Sequence, residues 1–155
     1  MPHPNLSHID QQAFAKDVED LHKRLKADLG EEDKKHLFKM VWWSRVLTLL
    51  GYATSWVMIN PLSILLISLG NMGRWTTVVH PVMHKGYDKV PNMPKKYTSK
   101  YFARGLRRYL DWLDWLHPKA WDHEHNALHH FNTSQKGDPD IVEVNTHFIR
   151  HQKVP

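Results

Sequence analysis

The chain of 155 residues has no cysteine, which removes disulfides, thiolate metal sites and cysteine nucleophiles together. Any transition-metal site must therefore use nitrogen and oxygen ligands, which disfavours zinc ribbons and iron–sulfur clusters. The zincin pattern HExxH occurs nowhere, nor does a flavin or haem motif. No cleavable signal is visible, because the N-terminus is polar and the first apolar run starts near residue 40. Charge is missing from Val46 to Gly73, 28 residues, while acids are nearly missing from 85–108, where eight Lys or Arg face Asp88 alone. Such segregation fits a membrane protein with soluble flanks better than a uniformly patterned soluble domain. The length suits one domain.

Composition divides the chain into a polar segment 1–40, an apolar segment 41–79 and a histidine-rich segment 80–155. In the first, Phe14, Val18, Leu21, Leu25 and Leu29 recur at helical spacing, with Ser7 as the expected cap, Asp10 as its partner and Gly30 as the stop. Glu31, Glu32 and Asp33 suit the first turn of a second helix. The first helix is amphipathic and is expected on the membrane surface or on the cytosolic part of the protein. His22 and His36 have no partner histidine at ligand spacing and read as surface residues.

The uncharged run exceeds the roughly 20 residues that one spanning helix needs. Asn60-Pro61, near its centre, is a turn and helix-start signal, so the run is expected to fold there into two arms, Val41–Ile59 and Leu62–Val79. Arg45 and Arg74 are then nearly equidistant from the turn, with Trp42, Trp43 and Trp75 beside them as an aromatic belt. A membrane hairpin is favoured over two buried core helices, because the rest of the chain is too polar to cover both arms. Lysines and arginines on both flanks place both ends in the cytosol by the positive-inside rule.

Histidines gather in two places. His80 and His84, at the end of the second arm, are four apart and share a helix face. The stretch Trp121–His130 holds four histidines, two carboxylates and no cation. Neutral imidazole suits transition metals, and helical spacing sets His125 beside His129, with His130 next. Asp122 and Glu124 could add oxygen ligands or orient imidazoles, and His123 falls on a different face. His147 and His151 are also four apart, but Arg150 and Lys153 crowd them, so they read as surface residues. Between the clusters, 85–98 is a loop and 99–116 a helix with Phe102, Leu106, Tyr109, Leu113 and Leu116 as its apolar stripe, thickened by Trp112 and Trp115. Its basic residues are expected to meet anionic lipid headgroups rather than nucleic acid. His117-Pro118 should start the helix that carries the second cluster.

His80-x3-His84 at the end of a membrane hairpin, then some forty residues, then His125-Asn126-x2-His129-His130, resembles the integral-membrane fatty acid desaturases. Trp75-Thr-Thr-Val-Val-His80-Pro, Asn132-Thr133 and Asp138-Pro139-Asp140 agree with that impression, which covers 40–145. The resemblance implies an all-α membrane protein, half of a four-helix domain built from two hairpins, with cytosolic or interfacial helices. It further implies two non-haem irons held by histidines on the cytosolic face, with O2 as co-substrate and an acyl-CoA or acyl lipid desaturated. His80, His84, His125, His129 and His130 match the ligands, with Asp122, His123 and Glu124 around them and no catalytic side chain beyond the metal centre. Electrons would come from an external donor of the ferredoxin or cytochrome b5 type. The family has a third box, H-x2-HH, and a second hairpin that this sequence does not contain, so it is expected to be the N-terminal part of a longer desaturase. A related membrane hydroxylase or ketolase, or an inactive truncated membrane module, are the alternative readings.

Overall fold

The computed structural model describes residues 8–58, 60–112, 117–141, 146, 147 and 151. Ser7, Ile59, Leu113, Trp115, Leu116, Arg150 and Lys153 lie outside them. The described residues form helices and turns, with no strand among them.

The first helix, α1 (Gln11–Ala27), is capped by Asp10, whose carboxylate accepts from the Gln12 and Ala13 N–H groups at 3.0 Å. These are two of the donors a helix start leaves unpaired. Asp10, expected only as a partner of Ser7, is the cap itself. None of α1 is buried, and Phe14, Val18, Leu21 and Leu25 stay exposed along one stripe. Gly30 is not the stop of α1, which ends at Asp28; it precedes α2 (Glu31–Ser55) and donates its N–H to Asp33 Oδ2 at 2.8 Å. The helix α2 runs unbroken through residue 40, so the change in composition there falls within one element.

Asn60 and Pro61 start a new helix as expected. Asn60 Oδ1 accepts from the Ser63 N–H at 2.9 Å, Ser63 Oγ accepts from the Asn60 N–H at 3.3 Å, and Pro61 needs no partner in the first turn. The segments α3 (Pro61–Arg74), a π turn (Trp75–Val79) and α4 (His80–Met83) are continuous. Together they make one helix, Pro61–Met83, about 35 Å long at the usual rise per residue. Among the described residues it alone is long and apolar enough to cross a membrane.

The helices α2 and α3 pack antiparallel along a seam of small residues, with Ser44, Gly51, Ser63 and Gly70 buried. A Cβ at Gly70 would stand 2.8 Å from the Ser44 carbonyl oxygen and 2.7 Å from the Thr48 nitrogen, both backbone atoms that cannot swing away. Gly70→Ala must push the helices apart and is expected to cost about 1–3 kcal/mol, as overpacking does. A lower unfolding midpoint in detergent checks this, and an unchanged one contradicts the close seam.

The core lies at one end of this pair. Leu37 and Val41 of α2, Val78, Val79, Val82 and Met83 from the end of the long helix, and Tyr97, Phe102, Trp112 and Trp121 from the rest of the chain form one buried cluster. Trp75, Trp112 and Trp121 meet edge to face at 5.2–6.0 Å. This cluster joins the C-terminal end of the long helix to the start of the second histidine segment.

The expected helix 99–116 does not form. The chain makes turns to Ala103, leaves them extended at Arg104, and then makes a 3-10 turn (Gly105–Arg107) and α5 (Arg108–Asp111) before extending again at Trp112. Ala103 and Gly105 have φ of 52° and 56°, left-handed values that break a right-handed helix. Long-range anchors outweigh the local stripe: Phe102 and Trp112 are buried, and Asp111 is held between Arg45 and Arg107. Leu106 and Tyr109, expected on the apolar stripe, are 85% and 77% exposed. The loop 85–98 is as expected, with a short 3-10 turn at Lys95–Tyr97.

Candidate metal centre

Pro118 opens α6 (Pro118–Trp121), with His117 Nδ1 accepting from the Lys119 N–H at 3.2 Å. A π-helical stretch, Asp122–His129, follows without a break, and then α7 (His130–Asn132). In the π turn the His130 N–H bonds the His125 carbonyl five residues back, so side chains four and five apart bracket one turn. That brings His130 toward the face that His125 and His129 share, whereas an α-helix would turn it away from that face. The long helix does the same before its own pair: the His80 N–H bonds the Trp75 carbonyl across the π turn.

All five histidines expected as ligands come together. Neighbouring rings lie 4.4–5.3 Å apart between centroids. His84 Nε2 is 3.0 Å from His80 Nε2 and 3.2 Å from His130 Nε2. His125 Nε2 is buried with no hydrogen-bond partner among the described residues. Burial, followed by the charges of His80, His130 and His125 and partly opposed by Asp122, pushes the His84 imidazole down to about 4. Burial, followed by the charges of His80, His130 and His129 and partly opposed by Asp140, lowers His125. Both rings are therefore neutral near pH 7, the form that binds a metal.

Two groups of ligand atoms stand close enough to share an ion, His80, His84 and His125, and His125, His129 and Asp140; His125 belongs to both. An orphaned buried imidazole nitrogen facing other neutral imidazole nitrogens is a costly arrangement without a metal and a suitable one with it. The donor set thus fits a transition-metal ion.

The carboxylates beside the cluster differ from those expected. Asp138 is buried, and its oxygens accept from the Ser134 N–H at 2.8 Å and the Asp140 N–H at 2.8 Å. The same Oδ1 lies 2.8 Å from His129 Nδ1. The hydrogen bond to Asp138 raises His129, and His129 lowers Asp138 in return. Asp140 Oδ2 stands 3.3 Å from His129 Nδ1 and 3.6 Å from His125 Nδ1. With Nδ1 of His129 taken by Asp138, its Nε2 is the atom left for a metal. For that reason we read Asp140 as lying behind the two imidazoles rather than as a ligand beside them.

Asp122 acts at one remove: its Oδ1 accepts from Asn126 Nδ2 at 2.6 Å, and Asn126 Nδ2 also donates to the Met83 carbonyl at 3.1 Å. That bond pins the second histidine segment to the end of the first. His123 is exposed, and neither its side chain nor that of Glu124 makes a hydrogen bond or ion pair among the described residues. His147 and His151 are exposed and belong to neither ligand group. The site residues that sequence reasoning passed over are Asp138, Asp140, Asn126 and Trp121, whose ring stacks on His125 at 4.4 Å and 18°. The i, i+4 spacings of Trp121 with His125 and of Asp122 with Asn126 were the available signal; none announces the return of 138–140. His84 also borders an open groove with Leu25, Lys26, Leu29, Lys85 and Lys89.

No protein-family model, curated protein or solved structure matches this chain.

Proposed function

We propose that this chain carries a histidine-ligated non-haem iron centre for O2-dependent oxidation of an acyl chain, most simply fatty acid desaturation. The observation that supports it best is the convergence of His80 and His84, at the end of an apolar helix, with His125, His129 and His130, around the unpartnered His125 Nε2. In this reading the long helix crosses the membrane with the uncharged end of α2, residues 46–55, packed beside it, and the basic 85–108 segment keeps the histidines on the cytosolic side. His80, His84 and His125 would hold one iron, with His129 and His130 as nitrogen donors toward a second. Iron bound there supplies the oxidising power, drawn from O2, that no side chain has for an unactivated C–H bond.

The chain's own residues do the rest. Five imidazoles offer nitrogen and leave room for oxygen, Asp138 sets which nitrogen of His129 faces the metal, and Asn126 fixes the distance between the two helices. Placing the cluster directly after the last apolar turn sets it where an acyl chain rising from the bilayer can reach. Electrons would come from a separate ferredoxin or cytochrome b5 type donor. The same centre would serve hydroxylation, which product analysis distinguishes.

Iron content of the purified chain, together with lipid analysis of membranes expressing the whole coding sequence that contains it, tests the proposal. Stoichiometric iron and new double bonds are expected, and both should survive in His151→Ala. Iron no higher than in a His80→Ala, His84→Ala double variant would sink the reading.

A further inference from the structure

A second polar site lies at the same end of the long helix, and no histidine lines it among the described residues. Arg45 Nη2 pairs with Asp111 Oδ1 at 3.0 Å. Arg107 Nη2 approaches Asp111 Oδ2 at 2.6 Å, an ion pair too poorly aligned for a hydrogen bond, which leaves Arg107 Nε and Nη2 buried without one. Arg74 Nη1 donates only to the Leu110 carbonyl, at 3.0 Å, and forms no ion pair among the described residues. Arg45, Arg74 and Asp111 line one crevice, so the single carboxylate there is already engaged by Arg45 and Arg107 and the excess charge is positive.

Arg45 and Arg74 also head a groove walled by Thr48, Leu49, Tyr52, Tyr109 and Leu110. Every large apolar or aromatic residue of that wall is more than half exposed. From Arg45 to Tyr52 the groove follows α2 for about 10 Å, away from the arginines and along the apolar part of the helix pair. An occupant that satisfies both ends needs an anionic head and an apolar tail. We propose that this groove binds one anionic phospholipid, its phosphate at Arg74 and Arg45 and the start of an acyl chain along Leu49 and Tyr52.

The proposal rests on the reading of Pro61–Met83 as a membrane span, which supplies the lipid. It also accounts for the exposed Tyr109 and Leu110, which lipid would cover. The site is built rather than diffuse, because Arg74 is held in place by the Leu110 carbonyl and lacks an anion of its own.

Native mass spectrometry of the chain extracted from vesicles of equal dioleoylphosphatidylglycerol and dioleoylphosphatidylcholine tests it. The wild type should retain the anionic phosphatidylglycerol in preference to the zwitterionic phosphatidylcholine. Arg74→Gln should lower that retention roughly tenfold, as loss of a charge-assisted hydrogen bond does, and Arg74→Lys should keep most of it. Lys16→Gln, on the exposed α1, should change nothing; an equal loss there would mean a diffuse charge effect and overturn the site. Equal retention in Arg74→Gln and wild type also overturns it, and displacement by inorganic phosphate would assign the groove to a free anion instead. If Arg74→Gln does not fold, Tyr109→Ser in the exposed wall replaces it, with a few-fold loss expected and no loss contradicting the groove. Alkaline carbonate extraction reads the span separately. A chain that stays in the membrane pellet yet retains lipids indifferently loses the lipid site alone, whereas a chain released from the membrane overturns the span.

Discussion

His125→Ala is expected to abolish metal binding more completely than loss of any other single histidine. His125 belongs to both groups of ligand atoms, and its Nε2 is buried with nothing else to bond. Removing it leaves only His80 and His84 in the one group made wholly of imidazoles. The expected loss in ferrous ion affinity is more than about a hundredfold, above the 10–100-fold that loss of an outer partner costs. His123→Ala, one turn edge away and exposed, should stay within a few-fold of wild type. Anaerobic titration with ferrous ion, alongside circular dichroism to show that the helices persist, measures both. The Trp121 ring would lose its stacking partner, so a modest fall in stability is expected as well. Metal affinity within threefold of wild type in His125→Ala would contradict His125 as a ligand.

Much of this centre was legible because helical spacing is local. His80 and His84, and His125 and His129, are each four apart, and Asn60-Pro61 and His117-Pro118 mark helix starts by backbone chemistry alone. The π turns were not legible. Whether a helix takes up an extra residue depends on what it must face, here two histidine clusters and the Trp75–Trp112–Trp121 contacts. The expected helix over 99–116 failed for a related reason. Its stripe was correctly periodic, but burial of Phe102 and Trp112 and the pairing of Asp111 with Arg45, 66 residues away, decide the conformation. Local pattern cannot weigh a partner that distant. Asp138 likewise reaches His129 only because Ser134, at φ 62°, turns the chain back on itself.

Asp138→Asn separates orientation from charge at the second histidine segment. In the wild type the carboxylate raises His129 through a hydrogen bond to Nδ1 and is itself lowered by that bond. A raised histidine contributes stability that is complete below its ordinary value and disappears as pH rises through the raised one. A lowered carboxylate contributes stability present above its ordinary value and lost as pH falls through the lowered one. The pair therefore helps most in the acidic to neutral window between the two. Asparagine can accept from one side only, and its NH2 would oppose either the Ser134 N–H or the shared His129 and Asp140 donors. His129 should then titrate lower, which NMR of the metal-free protein reads directly. Proton competition alone would make such a lowered imidazole bind metal more tightly. If Asp138 matters because it turns Nε2 toward the metal, ferrous ion affinity should instead fall about 10–100-fold while the pKa falls. Tighter binding with a lower pKa would leave Asp138 a role in charge but none in positioning.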